Sequence, residues 1–221
     1  MSEFYGEPHR SFQDQHGTRR LADRLESLAH AEFDENDRAF IESATMFFLA
    51  TVDEHGRPTV SYKGGAPGFV RITGPGELVF PIFDGNGMFL SLGNMASTAD
   101  IGMLFIDFES PRRLRVQGTA AILPKDALPG PYAGAKYLTR ITVTQLFVNC
   151  GRYIHTIQGS TLSPHVPDEH GRQPFPAWKR IDKIADSLSD TDRRKVMAAG
   201  GTIPLDAYRG EASTDKRTTV D

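Results

Sequence analysis

The sequence has a single cysteine, Cys150, so no disulfide can form within the chain and a disulfide-stapled secreted domain is excluded. Its apolar runs, such as residues 46–50, fall far short of the ~20 residues that a membrane-spanning helix needs. It has no excess of charge: 25 Lys and Arg stand against 28 Asp and Glu, a net charge of -3. That balance excludes a polycation that holds nucleic acid by bulk phosphate neutralisation. The first residues, MSEFYGEPHRSFQDQHG, have no apolar core of the signal-peptide kind. The expectation is therefore a cytoplasmic protein without nucleic-acid or membrane partners.

The usual signatures of protein-borne chemistry are also missing. There is no G-x-S-x-G, H-E-x-x-H or C-x-x-C. No G-x-x-x-x-G-K-[ST] occurs, and no G-x-G-x-x-G follows a strand. His165 and His170 lie in a polar loop and read as solvated, so no metal site is expected. A chain without a recognisable nucleophile or metal cluster points to chemistry borrowed from a cofactor.

What is present is a domain's worth of apolar material: 39% of the 221 residues are hydrophobic, with 14 Phe. Residues 1–45 read as an N-terminal helical extension. Leu21, Leu25 and Leu28 share one helical face, and Asp34 is placed to cap a second helix. Residues 46–160 read as strands: 46–52 and 58–62 around the turn Asp53-Glu54-His55-Gly56, then 69–72, 77–83, 101–108, 113–122 and 139–150. Residues 88–99 read as a helix or helical turn. Residues 161–221 form a C-terminal extension of loop and helix, with Ser189 as a cap and a frayed tail from Arg209. Seven short strands without a βαβ rhythm predict a mainly β fold with helical decorations, an antiparallel barrel or sandwich.

Four segments carry candidate chemistry. The first, residues 84–94, contains Asp84, Gly85, Asn86, Gly87 and Met88 at a strand-to-helix junction. Glycines there uncover backbone N–H groups that can cradle a phosphate, and the same residues also suit an ordinary tight turn. The second is PRRLRVQG. Alternation puts Arg113, Arg115 and Gln117 on one strand face, either toward an anionic or heteroaromatic ligand or toward water. The third is NCGRYIH. Cys150 reads as a buried, inert and dispensable thiol, while Arg152 and His155 are placed either to serve an anion or ring edge or to sit on the surface. The fourth is Lys63 after Ser61, an anion contact or an exposed lysine.

Together FLATVDEHGRPTVSYKGG, ELVFPIFDGNGMFLSLGN, IGMLFIDF, RRLRVQG and NCGRYIH resemble, in order and spacing, the pyridoxamine 5'-phosphate oxidase-like superfamily of flavin-binding split barrels. The resemblance runs from about residue 47 to 155. It implies a split β-barrel homodimer holding FMN at the subunit interface, with F420 or haem replacing FMN in some relatives. It implies a flavin-dependent oxidoreductase acting on a small-molecule substrate or electron donor, or a non-catalytic flavin-storage module. The family places an arginine where Ser61 stands. It places serine, arginine and lysine on the FMN phosphate where Asn86, Gly87 and Met88 stand. The chain therefore resembles a divergent branch and not the vitamin B6 oxidase itself. Lys63, Arg152 or backbone N–H groups replace the missing cations, Arg113 and Arg115 approach the flavin, and His155 is the candidate proton donor.

Overall fold

The computed structural model describes residues 2, 4–128, 130 and 132–208. The tail expected to fray from Arg209 lies outside them. The chain divides into two compact units, Met1–Arg172 and Gln173–Asp221. In the second, the described residues form 3-10 turns at Ala177–Arg180 and Asp182–Ser187 and the helix α5, Asp190–Ala198. Ser189 caps α5 as expected, its side chain accepting from the Asp192 N–H.

The first unit is a mixed α/β fold. Three short helices, α1 (Glu7–Gln15), α2 (Arg19–Glu26) and α3 (Glu35–Ser43), precede the strands. Asp34 caps α3 by accepting from the Asp37 N–H. Leu21 and Leu25 lie on the solvent face of α2 and Leu28 lies past its C-terminal cap; all three are exposed, and the buried residue of the helix is Ala22.

The strands are β1 (Met46–Val52), β2 (Pro58–Gly64), β3 (Arg71–Gly74), β4 (Glu77–Ile82), β5 (Asp100–Asp107), β6 (Arg112–Pro124) and β7 (Tyr137–Asn149), with α4 (Leu90–Ser97) between β4 and β5. They form one antiparallel sheet in the order β2-β1-β5-β6-β7-β4-β3. β3 starts later than its sequence suggests. The Phe69 N–H closes a turn onto the Ala66 carbonyl at 2.9 Å, and its ring stacks on Phe47 instead of joining a ladder. Gly65 makes room for that ring, since a Cβ there would lie 2.4 Å from it.

The sheet is strongly curled. β1 and β4 are four places apart, about 19 Å in a flat sheet. Yet the rings of Phe47 on β1 and Phe80 on β4 meet edge to face at 5.0 Å. The sheet therefore wraps one core, in which Phe47, Phe80 and Phe105 are wholly buried. These three phenylalanines leave no apolar surface for a second subunit. The exposed apolar surface lies elsewhere, at Val60, Tyr62 and Val148 among others. The end strands β2 and β3 do not pair with each other among the described residues. No described helix is long and apolar enough to cross a membrane.

Candidate functional site

The ridge Ser91, Asn94, Met95 and Thr98 follows the i, i+3, i+4, i+7 spacing of one helical face. That face lays α4 across the β1–β2 hairpin. The Asn94 side chain donates to Thr51 Oγ1 at 3.0 Å and Thr59 Oγ1 at 2.7 Å. Thr98 Oγ1 donates to the Val52 carbonyl at 2.8 Å. Ser91 Oγ then lies 2.9 Å from Ser61 Oγ, and Lys63 Nζ donates to it at 3.2 Å. Two hydroxyls and one ammonium converge there, and no carboxylate pairs with Lys63 among the described residues. Burial pushes the Lys63 ammonium below its ordinary pKa, the direction expected of a desolvated cation without a counter-ion.

Lys63 also lines a cleft of about 800 Å³, together with Phe40, Phe69, Phe83, Asp84 and Gly85. Half-buried cation, neighbouring hydroxyls and aromatic walls suit an anionic ligand that carries a ring system. α4 adds its first turn. Its N-cap, Phe89, takes a left-handed φ of 51° and offers no side-chain acceptor to the helix's first N–H groups. Ser91 is the residue that sequence reading missed. Its signal was the face it shares with Asn94, which acquires meaning only when the helix is known to cross β2.

The turn expected to cradle a phosphate is arranged differently. Asp84 pairs with Lys136 at 3.1 Å. Asn86 Oδ1 accepts from the Met88 N–H at 3.0 Å, so that donor is already engaged within the turn. Gly87 has φ 82°, and open space surrounds both Gly85 and Gly87. Asp84 and Gly85 reach the cleft lining; Asn86, Gly87 and Met88 do not.

Arg113 and Arg115 share a strand face as expected, opposite buried Leu114 and Val116. The register fixes which face. Lys63 pairs with Phe47, and Phe47 continues through Phe105 to Leu114, the core side. Arg115 pairs with Leu104, and Leu104 with Phe48, which pairs with Tyr62, the outer side. Lys63 and the two arginines thus occupy opposite faces of the sheet. Arg113 Nε is buried without a hydrogen-bond partner, and Arg115 is exposed without an ion pair among the described residues.

The segment after β7 corrects the reading of Cys150. The residue is exposed, not buried. Its thiol is held below the ordinary range by the Arg152 N–H and side chain, helped by the Arg113 charge. Arg152 also stands 5.4 Å over the Tyr153 ring. His155 is exposed and, like Arg152, is not part of the cleft lining.

A family model described as pyridoxamine 5'-phosphate oxidase matches residues 33–150. Among solved structures, HupZ of Group A Streptococcus is 21% identical, with 52% of this chain and 93% of that chain covered and a TM-score of 0.43. HutZ, the haem storage protein of Vibrio cholerae, is 18% identical over 53% and 94%, with a TM-score of 0.38. A conserved hypothetical protein of Mycobacterium tuberculosis is 16% identical over 59% and 92%, with a TM-score of 0.41. No curated protein sequence matches the chain.

Proposed function

Because this chain belongs to the pyridoxamine 5'-phosphate oxidase family, we propose that it is a homodimeric FMN-binding protein and a flavin-dependent oxidoreductase. The observation that carries this reading is the convergence of Ser61, Ser91 and unpaired Lys63 beside an aromatic cleft. Those donors fit a phosphate monoester. Charge-assisted hydrogen bonds from the ammonium and neutral ones from the hydroxyls would hold its oxygens. Of the turn at residues 84–88, Asp84 and Gly85 would border the phosphate, with the Asp84 charge offset by Lys136. Phe40, Phe69 and Phe83 give the cleft walls of the kind a ring system packs against.

When bound, the isoalloxazine supplies hydride and electron transfer. The protein's part is to hold it and to set the charge around it. Arg113 and Arg115 are the proposed stabilisers of negative charge on the ring, and His155 the proposed proton donor. Since Lys63 and these arginines lie on opposite sheet faces, one flavin meets both sets most simply when the arginines come from a second copy. Exposed Val60, Tyr62 and Val148 supply apolar surface for that contact.

Mixing two inactive variants tests the composite site. Lys63→Met and Arg113→Ala homodimers should each bind FMN poorly. Their mixed dimer contains one site with both residues intact and should recover about half of the wild-type FMN. Failure of mixed dimers to recover any FMN would place both residues on one subunit's site and refute the arrangement.

A further inference from the structure

One wall of the cleft lies beyond the residues that match the family. Residues 157–166 carry neither helix nor strand, yet Ile157, Leu162, His165 and Val166 line the cleft. The segment is fastened at both ends. The Ile157 N–H donates to the Phe108 carbonyl at 3.0 Å. Just past the far end, Pro167 and Gly171 pack against Gly134, where a Cβ on Gly134 would lie 2.7 Å from the Pro167 ring; the Val166 N–H closes a turn within the segment onto the Ser163 carbonyl at 2.9 Å. Asp168 closes the next turn by accepting from the His170 and Arg172 N–H groups, both at 2.9 Å. Between the anchors, no N–H of residues 158–163 is hydrogen-bonded among the described residues. Gly159 sits there at φ 71° with open space around it.

Two large apolar side chains ride on this segment half in water: Ile157 is 53% exposed and Leu162 46%. Phe40 and Phe69 line the same cleft. We propose that residues 157–166 are a strap that closes over a ring-bearing ligand in the cleft and retains it by burying Ile157 and Leu162. The inference rests on the flavin reading above. Closure breaks no backbone hydrogen bond in the middle of the strap, and the fastened ends keep the movement short. Its driving force is removal of apolar surface from water, which needs a ligand to complete the apolar wall.

The test uses the full-length protein with added FMN. Hydrogen exchange in a peptide spanning residues 157–166 should slow when FMN is present. In the double variant Ile157→Ser, Leu162→Ser, FMN should dissociate about tenfold faster, equivalent to about 1.4 kcal/mol. Its association rate should stay as in the wild type and the melting temperature of the FMN-free protein should fall by no more than about 2–4 °C, because both side chains already stand about half in water before closure. If FMN binds, but neither its dissociation rate nor strap exchange responds, the strap is refuted and the flavin reading stands. If the wild type binds no FMN at all, both fall.

Discussion

Lys63→Met separates a binding role from a structural one. Lys63 is half-buried, and its ammonium's only hydrogen bond among the described residues runs to Ser91 Oγ at 3.2 Å. Burial already disfavours its charge. Methionine keeps most of the stem's apolar contact and removes the ammonium. The FMN-free protein loses one hydrogen bond, about 1 kcal/mol, and is relieved of the desolvation that disfavours the ammonium. The two effects oppose each other, so the net change is smaller than the hydrogen bond alone and the melting temperature should stay within about 2–4 °C of the wild type. The FMN complex loses a hydrogen bond between charged partners, about 1.5–3 kcal/mol. That is a Kd roughly 10- to 150-fold weaker, read by quenching of flavin fluorescence on titration. An unchanged Kd would refute the phosphate assignment. A weaker Kd accompanied by a collapse of the melting temperature would make Lys63 a structural residue.

Other perturbations follow from the same contacts. Asn94→Ala removes the clamp on Thr51 and Thr59 and should cost about 1–3 kcal/mol in urea unfolding; an unchanged midpoint would show that α4 does not depend on it. Cys150 should react with iodoacetamide at a lower pH than an ordinary thiol, and Arg152→Ala should raise that midpoint. Cys150→Ser should nonetheless retain FMN and turnover, since the groups that act on the thiol among the described residues are the arginines Arg152 and Arg113, neither of them a general base. His30 bonds the Leu28 carbonyl through Nδ1 and Asp37 Oδ2 through Nε2 at 2.8 Å, which calls for a proton on both nitrogens. Burial opposes that charge, but the Asp37 and Leu28 hydrogen bonds and the Asp37 and Asp34 charges outweigh it and raise the pKa. The stabilisation is therefore full below about pH 6.5 and is lost as pH rises through the higher folded value. The melting-temperature gap between wild type and His30→Gln should shrink across that window; a constant gap would deny the protonated ring.

Local features were legible in the sequence because their causes are local. The turn at residues 53–56 and the alternation around it gave the β1–β2 hairpin, and the side chains of Asp34 and Ser189 announced the starts of α3 and α5. The shared face of Arg113 and Arg115 followed from strand parity alone. Parity within β6 says nothing of parity between β2 and β6, however. That relation needs the sheet order and the register through β1 and β5, so the opposition of Lys63 to the two arginines was hidden. Ser91 was hidden for a similar reason, since its partners Ser61 and Lys63 lie about thirty residues earlier in the chain. Leu21, Leu25 and Leu28 show the opposite failure: periodicity grouped them, but the helix ends before Leu28, and spacing could not tell a core face from a solvent face. Cys150 follows the last residue of β7, so the strand's alternation no longer governed its exposure.

The cleft beside Lys63 is proposed to hold FMN. The most direct measurement is to purify the protein without added cofactor, denature it, and identify the released chromophore by absorbance and mass, with FMN titrated into any cofactor-free fraction. FMN is the expected chromophore, released at up to one per subunit or taken up to that ratio on titration. Release of F420 or haem, or no chromophore together with no uptake of FMN, would contradict that assignment.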